Sequence, residues 1–150
     1  MDDELNDIRD LFKEEARELL SELEASLLKV EESPEDKEPV NSVFRAMHTV
    51  KGSGAACGFT DIAKFAHEVE TVLDLVRNGK VAVTKELINL TLSARDTILL
   101  MLDTPDGNEN AYKPGVEKIV IALKRLLPDT RKEADAIIPL QQDAVEDLVR

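Results

Sequence analysis

The chain has 150 residues, enough for one domain with a real core and too few for two comfortable ones. A hydrophobic fraction of 43% agrees with that and excludes a largely disordered acidic tail. Nineteen Lys and Arg against thirty-one Asp and Glu leave a net charge of −12, which argues against nucleic acid and anionic membrane surfaces as partners.

Residue scarcity excludes more. A single cysteine, Cys57, removes any intramolecular disulfide and any Cys-based zinc site. With no Trp, four Phe and one Tyr, few side chains are left for base stacking. No apolar run approaches the roughly 20 residues of a membrane span, and no signal peptide is visible. The expectation is an acidic, soluble, cytoplasmic domain. Its acidity is concentrated at one end: residues 1–38 carry fifteen acidic and five basic side chains, the remainder sixteen and fourteen. A solvated helix face accounts for such a run, and so does a repulsive surface that steers partners elsewhere.

In chain order, Leu5, Ile8, Phe12, Ala16, Leu19, Leu23, Leu27 and Val30 trace one apolar stripe. Their steps of three and four predict an amphipathic helix over residues 3–32, ended by Ser33-Pro34. A second helix is predicted from near Pro39, with Val43, Met47, Val50 and Gly54 inward and Gly58 just past its end. Thr60 or Asp61 is expected to cap a third, running to Arg77 on Ile62, Ala66, Val69, Leu73 and Val76. Asn78-Gly79 closes it. Thr84 caps a fourth that uses Leu87, Leu90, Ala94, Ile98 and Met101, and residues 103–108 form a loop. A fifth, from Pro114 to Leu127, buries Val116, Ile119, Val120, Leu123 and Leu127. Only Lys80–Val83 has strand character, too short to support a sheet. The fold class is therefore all-α, an antiparallel up-and-down bundle. Residues 128–150 read as a linker or a terminal helix toward a further domain.

The two histidines lie on helices otherwise built for bundle packing. Around His48, helical geometry places Lys51 about 60° to one side and Gly52 about 40° to the other, beside the core seam and facing outward. The run Gly52-Ser53-Gly54-Ala55-Ala56 is odd for a helix, because each interior glycine costs roughly 0.5–1 kcal/mol against alanine. Tight packing explains Gly54, which is on the core stripe, but not Gly52, which projects near His48. Small residues beside a histidine leave it reachable by something bulky. On the third helix, His67, Glu70 and Asp74 form a polar stripe. If the two helices are adjacent and antiparallel, Glu70 can accept the Nδ1 proton of a histidine across the interface, leaving the Nε2 lone pair outward and more basic. No GxxxxGKS/T, GxGxxG or HExxH occurs, and two histidines make a catalytic metal site improbable. Chemistry here would mean presenting a nucleophile to a partner that supplies catalysis.

The stretch Phe44-Arg45-Ala46-Met47-His48-Thr49-Val50-Lys51-Gly52-Ser53-Gly54, then Gly58-Phe59, resembles the phosphorylation-site helix of a histidine-containing phosphotransfer (HPt) domain. Phe65-Ala66-His67-Glu68-Val69-Glu70, with Leu73, Arg77, Asn78 and Gly79, resembles the N-terminal phosphotransfer domain of CheA-type chemotaxis histidine kinases. The resemblance covers about residues 3–127 and implies a four-helix HPt core plus a fifth helix, with a domain over residues 1–127. It implies that His48 accepts at Nε2 the γ-phosphoryl group of ATP from a separate kinase catalytic domain. His48 would then pass it to an aspartate of a response regulator of the CheY or CheB kind. It further implies that Lys51 offsets phosphate charge, Glu70 bonds Nδ1 of His48, His67 completes the network and Gly52 leaves room for the partner. ATP and Mg²⁺ would belong to the partner domains, with no cofactor here. Lacking a nucleotide-binding motif, the chain is not a self-sufficient kinase; its Met1 start and CheA-like stretch favour a fragment of a larger one over a free phosphocarrier. A non-catalytic helical adaptor that binds a partner helix is the alternative.

Overall fold

The computed structural model describes residues 2–128, all helix and connecting turns. The helices are α1 (Asp2–Glu32), α2 (Lys37–Ala56), α3 (Thr60–Arg77), α4 (Lys85–Asp103) and α5 (Lys113–Arg125), with a 3₁₀ turn at Glu109–Ala111 before the last. No strand occurs among the described residues. The expectation for residues 128–150 falls, from residue 129 onward, outside them.

Local chemistry sets most of the boundaries. Asp36 caps α2 by accepting the Glu38 amide at 3.0 Å, so the helix begins at Lys37, two residues earlier than the start expected near Pro39. After α2 the chain turns at Gly58, whose φ of +85° is open to glycine and costly for other residues. Thr84 caps α4 as expected, its hydroxyl accepting the Leu87 amide at 3.1 Å. The predicted cap of α3 is corrected. Neither Thr60 nor Asp61 caps it; Phe59 occupies the N-cap position with no side-chain cap bond. Packing decides this, since the Phe59 ring lies 4.8 Å from that of Phe12 with the Arg9 guanidinium 4.2 Å above it.

The α2–α3 pair is the closest in the bundle and is antiparallel. Gly54 lies against Ile62, His48 meets Glu70, and Val40 shares a wall with Val76, so positions paired across the two helices run in opposite directions. α1 packs on α2 and α4, and α5 covers α3 and α4 from outside. The core is one cluster, with Phe12, Leu20, Leu23, Met47, Val50, Phe65, Val69, Ile98 and Leu102 almost wholly buried. The Arg95 side chain ties α4 to α1 through the Leu20 carbonyl at 3.0 Å.

Several expected core positions are corrected. Leu5 and Ile8 are 55% and 51% exposed. Arg9 already sits at the end of the bundle, over Phe59 and bonded to Asp106 in the α4–α5 loop, so the turns before it run past the helices that would cover them. Leu19 is only half-buried and Leu20 takes the seam; likewise Leu90 yields to Ile88 and Thr91. Val116 and Val120 are half-buried because α5 is an outer helix packed on one side only.

Candidate functional site

His48 and Lys51 come from the middle of α2, and Glu70 from the middle of α3. The apolar stripes of both helices are buried beneath them, which fixes the register between the two polar stripes. His48 Nδ1–H donates to Glu70 Oε2, and the Lys51 ammonium donates to Glu70 Oε1 at 2.7 Å. His67 Nδ1 lies 3.6 Å from Oε1, close enough for an ion pair and too far for a hydrogen bond. One carboxylate thus gathers all three neighbours.

Exposure is divided unequally among them. The Glu70 side chain is 10% exposed and that of Lys51 28%, whereas His48 is 60% exposed. A buried carboxylate normally resists ionisation, and burial pushes Glu70 upward. The Lys51 hydrogen bond, the His48 bond and the charges behind them more than offset this and hold the group below the ordinary glutamate range. Glu70 is therefore an anion at neutral pH with both oxygens engaged. With Nδ1–H committed to it, His48 carries its lone pair on Nε2, the ring nitrogen left for solvent and partners.

The glycines divide as their helical positions predict. A Cβ on Gly54 would stand 3.4 Å from Phe12 Cζ and 3.7 Å from both Ile62 Cγ2 and the Phe59 carbonyl, so this glycine permits the close approach of three segments. A Cβ on Gly52 would meet nothing within 4 Å. Packing does not require Gly52.

Sequence reasoning left two neighbours of the site without a role. The Phe44 ring lies 6.0 Å from the His48 imidazole and 13° from parallel, and the Arg77 guanidinium sits 3.8 Å over the same phenyl ring. The i, i+4 spacing of Phe44 and His48 was the available signal. Arg77 belongs to the CheA-like stretch, but no local spacing ties it to Phe44, because it comes from the far end of α3. Among the described residues no group of three or more His, Cys, Asp or Glu is placed to hold a metal ion, and no helix is long and apolar enough to cross a membrane.

A helical bundle that presents an exposed imidazole backed by a buried carboxylate holds a histidine ready to act as a nucleophile. Residues 7–104 match the Hpt domain family, and the chain belongs to it. Its relatives include the chemotaxis protein CheA of Rhizobium meliloti, 39% identical over 95 residues, which are 63% of this chain and 12% of that one. Among solved structures, the CheA phosphotransferase domain from Thermotoga maritima is 38% identical, with a TM-score of 0.62 over 63% of this chain and 90% of that one. The phosphorylated P1 domain of CheA3 in complex with CheY6 from R. sphaeroides is 26% identical, with a TM-score of 0.66 over 80% of this chain and 98% of that one. The curated CheA proteins are far longer, the chain spanning from 12% to 22% of their length.

Proposed function

We propose that this phosphotransfer domain works within a chemotaxis histidine kinase of the CheA type, with His48 as its phosphoacceptor. The observation that carries the reading is the Nδ1–Glu70 bond beneath a largely exposed ring, which leaves Nε2 as the nucleophile. In the first step Nε2 attacks the γ-phosphorus of ATP held by the kinase catalytic domain; the N–P bond forms and the bond to ADP breaks. Positive charge developing on the ring is stabilised by the Glu70 carboxylate at Nδ1. In the second step a response-regulator aspartate attacks the same phosphorus, the N–P bond breaks, and its electron pair returns to Nε2.

The supporting residues follow from position. The partly exposed Lys51 ammonium stands one turn from His48 and offsets phosphate charge. His67 borders the network, and Gly52 leaves the approach open to a partner's active site. ATP and Mg²⁺ are handled by the partners, and the domain itself holds no cofactor. A CheY-like regulator as recipient is supported by the relative captured with CheY6. The setting is the cytoplasm, where such kinases meet ATP.

The test is to incubate the domain with a CheA-type catalytic core and γ-labelled ATP. The wild-type domain is expected to acquire an acid-labile, base-stable label, and His48→Gln none. The variant should melt like wild type, because exposed substitutions change stability by about 0.5 kcal/mol or less. Label retained on the His48 variant would move the phosphoacceptor to another residue, and label absent from the wild type would favour the non-catalytic adaptor.

A further inference from the structure

We propose that Phe44 and Arg77 are positioning residues for His48, a two-part clamp that sets the plane of the imidazole ring. This rests on the reading of His48 as phosphoacceptor and extends it to residues with no polar contact to that ring. A single hydrogen bond from Nδ1 fixes a direction and leaves the ring free to swing about it. His48 is 60% exposed, and its second contact is a flat one: the Phe44 ring, 6.0 Å away and within 13° of parallel. That separation lies within the range of offset aromatic stacking. The hydrogen bond to Glu70 and the phenyl face together leave the ring one orientation, with Nε2 aimed away from both.

The phenyl ring is itself held. Arg77 places its guanidinium 3.8 Å over the Phe44 centroid, a cation–π contact. Its Nε donates to Asp74 at 2.7 Å, so the guanidinium is anchored on α3 rather than left in solution. The antiparallel register explains why Arg77 reaches this spot. Val76 sits opposite Val40, so Arg77 enters one turn before Phe44 while His48 follows one turn after it. Asp74, Arg77, Phe44 and His48 form a continuous chain of contacts, reaching the imidazole from the side opposite to Lys51.

Phe44→Leu keeps apolar bulk and removes the flat face. It is expected to lower kcat for phosphorylation by the kinase core about tenfold, as small misplacements of reacting atoms do, with KM for that core unchanged. Phe44→Tyr keeps the face and should restore the rate. Arg77→Met keeps length without charge and should lower kcat about threefold, a smaller loss because the phenyl ring remains. The second readout needs no kinase: three-bond couplings and side-chain relaxation of His48 in the isolated domain should show rotamer averaging in Phe44→Leu and a single rotamer in wild type and Phe44→Tyr. A raised KM with normal kcat would make Phe44 a docking residue and overturn the proposal. A fixed His48 ring in Phe44→Leu would overturn it as well. If the wild type takes no phosphate while the ring still loosens in Phe44→Leu, the functional reading has failed and the clamp stands.

Discussion

α3 sends one carboxylate toward α2 and another toward the start of α5, and the two have different consequences. Toward α2, Glu70 is buried and meets an exposed imidazole and a partly exposed ammonium. Toward α5, Asp61 is exposed and accepts a hydrogen bond from the hydroxyl of Tyr112 at 2.7 Å, a residue only 8% exposed. Burial, then the Asp61 hydrogen bond and charge, drive the Tyr112 phenol far above its ordinary range, so it stays protonated and unreactive. Both are carboxylate hydrogen bonds across a helix interface. At Glu70 the buried member is the anion and the exposed member keeps an unused lone pair. At Asp61 the arrangement is inverted, and the bond closes a seam. Reactivity therefore depends on which partner faces solvent.

The comparison breaks most visibly at Glu70. Glu70→Gln keeps the shape and removes the charge under Nδ1, and should slow phosphorylation of His48 by about a hundredfold, the low end for a positioned acid–base group. Single-turnover transfer from the kinase core measures it. A loss equal to that of His48→Gln would mean that the site had collapsed. Lys51→Ala should cost at most about tenfold in either transfer step, shrinking at high salt, because a partly exposed ion pair is screened. The structure adds a consequence: without Lys51 the strongest influence lowering Glu70 is gone, so its acid titration should move upward. Carboxyl NMR shifts would show it.

pH separates the two hydrogen bonds in sign, through Glu70 in one and Tyr112 in the other. Glu70 has a lowered folded-state value, so its contribution to stability is complete above the ordinary glutamate range and disappears as the pH falls through the lower folded value. Tyr112 has a raised value, so its contribution is complete below the ordinary tyrosine range and disappears as the pH rises beyond it. Urea midpoints against pH should show wild type converging on Glu70→Gln in acid and departing from Tyr112→Phe least in alkali. The smallest effect is that of Tyr112→Phe at neutral pH: a loss of about 1 kcal/mol with His48 phosphorylation unchanged. A change in rate would show that the α3–α5 seam reaches the site.

Periodicity and residue type made much of this legible in advance. His48, Lys51 and Glu70 could be placed on facing polar stripes because helical offsets within each helix are fixed, and the buried stripes of α2 and α3 then supplied the register. What stayed hidden depended on contacts between distant segments. Lys51 was expected to serve phosphate charge, and its bond to Glu70 required knowing how far α2 is shifted along α3. Phe59 displaced the predicted caps because Phe12 and Arg9 of α1 hold it. Leu5 and Ile8 obey the period of a buried stripe, yet periodicity carries no information about where neighbouring helices stop. Tyr112 lies beyond the loop and outside any apolar repeat, so its place against Asp61 had no local signal.

Gly52 gives the site a cost that is always present and a benefit that comes only in encounters. A methyl group there would touch nothing in the domain and would steady α2 by roughly 0.5–1 kcal/mol. Gly52→Ala should therefore raise the melting temperature of the isolated domain. Under the proposed function, larger residues at the same position would progressively exclude the catalytic cleft that must close over His48. A variant selected for heat resistance alone would thus be drawn to this position early, and would drift toward a sturdier bundle that no partner can load.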